Sequence, residues 1–312
     1  MILAISQLSI IAIALFVVGC KKSAADPQIP PSAPDSRHSP QATPTPPASA
    51  QPKEILMSDI FTREKSLSYN GFNITTIAKR SKSEPRELSL SYAVIKKNGR
   101  MLAKFDGAQE EGMNATDIGL FPLSGSKTKQ LIISQTVPRG GRHWIVELTA
   151  NPKVIFDSGD YEVGGEELWA VDLDGDSVYE IWLFVTSFYG EFDQLSVAST
   201  PLPTVVFRYD RQAGRYLPAN RRYRDYLLKG IEAEISALPT EISPLRTAAG
   251  ELYLARRLDV LLRFLYAGKE KEGWEFFNKA YTLPDAGKIK ARVREVLQEA
   301  PAYKFIRRRS QI

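Results

Sequence analysis

The sequence predicts an α+β fold, in which a β-rich repeat domain (residues 54–218) is followed by a small α-helical domain (residues 219–312). From about residue 60 to residue 216, short apolar runs alternate with turn residues, which is typical of strands. Beyond Tyr216 the apolar residues recur at helical spacing. The chain has 312 residues, of which 43% are hydrophobic, so it is long enough for two small domains.

The N-terminus carries a predicted signal peptide over residues 1–19. This segment is apolar, has no charged side chain, and leads into Val17-Val18-Gly19-Cys20. That ending resembles the bacterial lipobox, which implies that Cys20 receives palmitate or a similar acyl chain and becomes the mature N-terminus. Cys20 is the only cysteine, so it has no disulfide partner within the chain. An uncleaved membrane anchor is the alternative, since an apolar run of this length is just able to span a bilayer.

Residues 20–53, which begin with Cys20, are predicted to form a tether. From residue 23 onward they are rich in proline, serine and alanine and have almost nothing to bury, so they cannot form a packed core. A proline-rich chain is semi-extended and would hold the folded part away from the lipid surface. We therefore expect a cell-envelope protein attached to the membrane by its N-terminal lipid. Lys21 stands where the resemblance places Asp in lipoproteins of the inner membrane, which favours the outer membrane.

Three β-hairpins are predicted in the β-rich region. In the first, Asn98-Gly99 separates two alternating runs, and both residues tolerate the positive φ of a type I′ turn. The other two turn at Asn151-Pro152 and at Ala213-Gly214. The runs that flank the three turns are Ser89–Ile95 with Met101–Phe105, Trp144–Leu148 with Val154–Phe156, and Val205–Tyr209 with Arg215–Leu217.

An internal repeat is predicted from a fifty-residue offset. The stretch from Leu123 to Leu131-Ile132 aligns with the stretch from Leu173 to Ile181-Trp182 at that constant offset. A period of this size with about four strands per unit is typical of propeller blades. Only about two and a half units fit between residues 60 and 217, so the domain is either propeller-blade-like or sandwich-like, with an open stack of sheets as a further possibility.

The acidic loop, residues 172–180, is the predicted metal site. Asp172, Asp174, Asp176 and Glu180 place carboxylates at relative positions 1, 3, 5 and 9, and Ca²⁺ takes several such oxygen ligands. The loop resembles the FG-GAP/VCBS repeats of integrin-like propellers. That resemblance implies side-chain ligation by the three aspartates, a backbone carbonyl ligand from Val178 and a last carboxylate from Glu180. A solvent-exposed acidic turn without metal is the alternative.

The C-terminal region is predicted to be helical. Its middle resembles a single tetratricopeptide hairpin, in which Gly268 stands at the turn and Gly273, Phe277 and Ala280 occupy packing positions. An ordinary three- or four-helix domain remains open, because one such unit cannot form a solenoid. The basic run Lys304–Arg309 is expected to be a solvated tail. The helical segments are Tyr226–Ile235, Leu252–Tyr266, Lys269–Leu283 and Ala286–Glu299.

The sequence predicts no catalytic residues. Its two histidines are His38 in the tether and His143 beside a Gly-Gly turn, so a Ser-His-Asp or Cys-His set would depend on His143 alone. The net charge is +5, but the lysines and arginines are scattered among acidic residues and form no basic stripe. This distribution argues against nucleic acid as a partner.

The leading hypothesis is therefore a non-enzymatic, membrane-anchored envelope lipoprotein. Its Ca²⁺-stabilised β-repeat domain would serve protein–protein interaction or adhesion with an envelope protein that the sequence does not identify. Part of the contact surface is expected from Phe188–Asp193, an aromatic and acidic insertion in the third unit. The alternative is a secreted hydrolase or carbohydrate-active protein that uses the acidic cluster between Asp172 and Glu180 for chemistry.

Overall fold

A computed structural model describes residues 53–55, 60–62, 64–80, 89–107, 115–137, 140–240 and 248–308. The predicted signal peptide, Cys20 and the tether before residue 53 lie outside these ranges. The strands are β1 (Lys53–Ile55), β2 (Ser66–Tyr69), β3 (Phe72–Arg80), β4 (Ser89–Lys97), β5 (Arg100–Phe105), β6 (Ala115–Phe121), β7 (Gln130–Val137), β8 (Gly140–Glu147), β9 (Lys153–Asp157), β10 (Val163–Asp172), β11 (Glu180–Val185), β12 (Thr204–Asp210) and β13 (Arg215–Pro218). The helices are α1 (Arg224–Leu227), α2 (Ile231–Ser236), α3 (Ala248–Tyr266), α4 (Glu270–Ala280), α5 (Ala286–Glu299) and α6 (Pro301–Arg308).

The strands form three antiparallel sheets, each built from four strands that are consecutive in the chain. Sheet 1 contains β2–β5, sheet 2 contains β6–β9, and sheet 3 contains β10–β13 with β1 added at the β10 edge. The predicted α+β class is thus confirmed. The described residues hold three complete four-stranded units rather than two and a half, and these units do not close into a propeller.

The turn residues account for the first sheet. Asn98 and Gly99 have φ values of 51° and 79°, as a type I′ turn between β4 and β5 requires. Asn70 and Gly71 repeat this geometry between β2 and β3, with φ values of 51° and 78°. The first and third connections of sheet 1 are therefore two-residue turns, whereas the corresponding connections of sheets 2 and 3 are longer loops. All three predicted hairpins are present, as β4–β5, β8–β9 and β12–β13.

Sheet 2 is buried on both faces. Leu131 and Ile133 of β7 belong to the apolar core shared with sheet 1, whereas Ile132 between them belongs to the core shared with sheet 3 and the helices. Successive side chains of a strand point to opposite faces, so a strand covered on both sides reads as a continuous apolar run.

Three of the predicted helical segments are present as α3, α4 and α5, whereas the predicted segment Tyr226–Ile235 is divided into α1 and α2, with Gly230 at a φ of 79° between them. The expectation of a solvated tail over Lys304–Arg309 is wrong for its described part, because α6 extends to Arg308 and buries Tyr303 and Ile306. Pro301 occupies the first position of this helix, where a missing N–H costs nothing. No helix among the described residues is both long and apolar enough to cross a membrane.

The aromatic insertion after β11 lies against the helices. The expectation that its aromatic residues form an exposed contact surface is wrong for Phe188 and Phe192, which are 0% and 3% exposed. Both belong to the apolar core that contains Val293 of α5, and Glu191 forms an ion pair with Arg292 of the same helix. The insertion therefore joins sheet 3 to the helical region.

Candidate cation-binding loop

The acidic loop connects the end of β10 to the start of β11, and Asp172 folds it. The Asp172 carboxylate accepts backbone N–H bonds from Gly175, Asp176 and Ser177 at 2.8, 3.1 and 3.1 Å. Gly175 and Ser177 have φ values of 74° and 64°. Glycine adopts this left-handed conformation at little cost, which explains why the tight part of the loop is built around Gly175.

The loop brings three of the five predicted ligands together. One carboxylate oxygen from each of Asp172, Asp174 and Asp176 lies within 4.8 Å of the others. Glu180 is not part of this group: its buried carboxylate accepts the N–H of Leu173 at 2.9 Å. Val178 is also buried, and its N–H donates to Asp176 at 2.9 Å. The structure therefore places a trio of aspartates at the loop, with Glu180 beside it.

Arg208 of β12 holds the loop from the neighbouring strand. Its Nη1 lies 2.8 Å from Asp174 and 2.8 Å from Glu180, and its Nη2 lies 2.5 Å from Asp176. The sequence analysis missed this residue. Ile181 pairs with Phe207, so Glu180 and Arg208 are the next opposite pair along β11 and β12. That pairing is the only signal that would have identified Arg208, and it requires the strand register.

Two further side chains contact Asp174. Arg222 donates from Nη2 at 2.8 Å, and the hydroxyl of Tyr223 donates at 3.2 Å. The same hydroxyl accepts a hydrogen bond from Arg208 Nη1 at 2.8 Å. Asp174 thus receives three donors, two of them charged, and charge-assisted hydrogen bonds are stronger than neutral ones.

These contacts shift the proton affinities of the loop. Burial alone would raise the pKa of Asp174, but the hydrogen bonds and charges of Arg222 and Arg208 outweigh it and lower that pKa. Burial raises the pKa of Glu180, and the Leu173 N–H and the Arg208 charge reverse this only in part. Burial would lower the pKa of Arg208, but hydrogen bonds to Asp176 and Tyr223 raise it overall. Asp174 and Arg208 are therefore an ion pair at neutral pH.

The donor set fits a hard cation, with one condition. The three aspartates supply carboxylate oxygens, which are the ligands that Ca²⁺ prefers. Arg208, however, already occupies Oδ2 of both Asp174 and Asp176. A bound Ca²⁺ would therefore have to displace this guanidinium from at least part of the site.

The equivalent loop of sheet 2, residues 122–129, has a similar architecture without the carboxylates. Gln130 begins β7 as Glu180 begins β11, and it accepts the N–H of Ser124 at 3.2 Å. The two loops touch, because the N–H of Tyr179 donates to the carbonyl of Leu123 at 2.9 Å. The fifty-residue offset thus corresponds to matching loops on adjacent sheets.

The single histidine of the folded region is buried next to a serine. Ser134 Oγ lies 2.9 Å from His143 Nδ1, and His143 Nε2 lies 3.2 Å from the carbonyl of Gly165. A carbonyl only accepts, so Nε2 carries the proton and Nδ1 accepts from the serine hydroxyl. Burial lowers the pKa of His143 to about 4, so the ring is neutral at pH 7. Both side chains lie in the interior, out of reach of a substrate.

No family model matches the sequence, and no curated protein and no solved structure matches it either.

Proposed function

We propose that this chain is a non-enzymatic, lipid-anchored envelope protein whose three-sheet domain contacts another envelope protein and binds one Ca²⁺ at the acidic loop. The observation that carries the proposal is the aspartate trio, whose oxygens converge within 4.8 Å at the surface of a repeated loop. The ligands would be Asp172, Asp174 and Asp176, with Glu180 as a further carboxylate and the Val178 carbonyl as implied by the resemblance to FG-GAP/VCBS repeats. The Cys20 motif supports the anchoring part.

The surroundings of the loop favour binding over chemistry. Each acidic side chain of the loop that Arg208 contacts is already charge-paired, and none stands alone as a proton donor or acceptor. The Ser134–His143 pair resembles a nucleophile and base in its hydrogen bond, but its burial gives the hydrolase alternative no support.

Thermal unfolding of the full chain in non-ionic detergent tests the metal. A ligand at 100 times its dissociation constant stabilises the folded state by about 2.7 kcal/mol. We therefore expect a higher melting temperature in Ca²⁺ than in EGTA, and no comparable rise in Mg²⁺, which demands stricter octahedral geometry. Asp174→Asn should abolish the response, whereas Asp193→Asn, an exposed carboxylate outside the loop, should retain it. Identical melting curves in Ca²⁺ and EGTA would exclude the calcium site.

Two cellular experiments test the rest of the proposal. Cys20→Ala should move the protein from the membrane fraction to the soluble fraction, and continued membrane association would contradict lipid anchoring.

Crosslinking in intact cells should yield an adduct with another envelope protein for the wild type and less of it for Asp174→Asn. The absence of any adduct from the wild type would contradict an interaction role.

A further inference from the structure

A groove beside the acidic loop is lined by four arginines. It has a volume of about 630 Å³ and lies between the β12–β13 hairpin, the segment that follows β13, and α6. Arg208, Arg211, Arg221 and Arg222 line it, together with two aspartates, Asp176 and Asp210. Leu217, Pro218 and Ile306 add an apolar wall. Arg208 is already paired with carboxylates of the acidic loop, so the positive charge of the lining comes mainly from the other three arginines. A concave basic site concentrates the potential that attracts anions.

Three of these arginines have donors without an acceptor among the described residues. Arg211 is exposed in the hairpin turn and forms no ion pair with the residues that the structure describes. Arg221 also lines the groove, but its Nε is buried against Gly268 and has no hydrogen-bond acceptor among the described residues, so only its terminal nitrogens are candidate donors to a ligand. Arg222, 58% exposed, uses one nitrogen for Asp174 and keeps its other donors for the groove.

We propose that this groove is a binding site for a phosphate-bearing ligand, with Arg211, Arg221 and Arg222 as its donors. The planar guanidinium fork matches the oxygens of phosphate, and a phosphoryl group has enough oxygens and charge to engage several forks at once. A single carboxylate would satisfy one fork and leave the remaining charge uncompensated. The apolar wall contacts the uncharged part of the ligand. These donors are in place without Ca²⁺ at the acidic loop.

Calorimetric titration of the full chain with pyrophosphate, in EGTA and low salt, tests the site. We expect saturable binding that weakens as salt rises, and no saturable heat with acetate, which offers one carboxylate. Arg211→Gln combined with Arg222→Gln should weaken binding at least about tenfold, the factor that 1.4 kcal/mol represents. Arg100→Gln, an exposed arginine on β5 and outside the groove, should change the dissociation constant less than about twofold.

Each outcome decides the proposal. No saturable heat with the wild type, or equal weakening by Arg100→Gln, overturns it, because binding would then be absent or a matter of overall charge. Arg211→Gln alone provides a variant that removes no ion pair among the described residues, and it should weaken binding while leaving the melting temperature unchanged. Titration with glycerophosphoglycerol, a phospholipid head group without its chains, identifies the source of the phosphate. Tighter binding of this diester indicates a lipid, and tighter binding of pyrophosphate indicates a free phosphate compound.

Discussion

Arg208 is the residue on which the charge balance of the acidic loop depends. Its guanidinium contacts three carboxylates, and one of them, Glu180, is 0% exposed. A buried carboxylate is tolerated only when it is paired and hydrogen-bonded. Because the same guanidinium also lines the groove, it links the loop to the rest of sheet 3.

We predict that Arg208→Met destabilises the fold by about 3–5 kcal/mol, because it leaves Glu180 buried without its charge partner. Urea unfolding at pH 7.5 in EGTA measures this loss. Ca²⁺ should restore part of the stability, since the Arg208 guanidinium no longer competes with the cation for Asp174 and Asp176. Arg211→Met, which removes a groove arginine without an ion pair among the described residues, should stay within about 0.5 kcal/mol of the wild type.

A paired variant separates the charge from the packing. Glu180→Gln combined with Arg208→Met removes both partners, so its unfolding free energy should lie closer to the wild type than that of Arg208→Met alone. If the two variants are equally unstable, the lost contribution comes from the packing of the Arg208 side chain and not from its charge.

The elements that were predicted from the sequence are those whose signals are local. The β4–β5 hairpin follows from Asn98-Gly99, whose backbone preference already specifies the turn. Arg208 could not be predicted, because its contact with Glu180 depends on the register between β11 and β12. The error at α6 has a different origin. The last predicted helix ends at Glu299, just before Pro301, and a proline that follows one helix is equally suited to the first position of a new one.

The contact between sheets 2 and 3 contains a buried titratable group, His143. Its ring joins β7, through Ser134, to β10, through the carbonyl of Gly165. Burial lowers its pKa to about 4 in the folded chain, against an ordinary value of 6.5. Between these values the unfolded chain binds a proton that the folded chain does not. Stability is therefore retained above pH 6.5 and lost as the pH falls toward 4.

We predict that this group alone removes on the order of 3 kcal/mol of stability between pH 6.5 and pH 4. Urea unfolding at pH 7.5, 6.0 and 5.0 measures the slope. His143→Gln should be less stable than the wild type at pH 7.5 but show a shallower decline toward pH 5.0. His38→Gln, which changes the other histidine of the chain, should keep the wild-type slope. Equal slopes in all three proteins would mean that His143 is not the sensitive group.

At the scale of the folded region, one apolar core crosses from the sheets to the helices. The same cluster contains residues of sheets 2 and 3 and of α3 to α6. An aromatic series continues it: Phe207 of β12 lies 5.1 Å from Tyr161, whose ring lies 6.4 Å from that of Phe305 in α6. A core shared in this way makes the unfolding of the sheets and the helices interdependent. The insertion after β11 strengthens this junction. Its Phe188 and Phe192 stack on each other and belong to the same core cluster as the helices.

We predict that Phe192→Ala lowers the stability of the whole folded region by about 3–5 kcal/mol, as expected when a large core side chain is removed. Differential scanning calorimetry should show one transition in both proteins, shifted to lower temperature in the variant, because sheets and helices share the damaged core. Val197→Ala, a change to an exposed residue of the same connection between β11 and β12, should shift the stability by less than about 0.5 kcal/mol. Two separate transitions, only one of which responds to Phe192→Ala, would instead mean that the sheets and the helices unfold independently despite their common core.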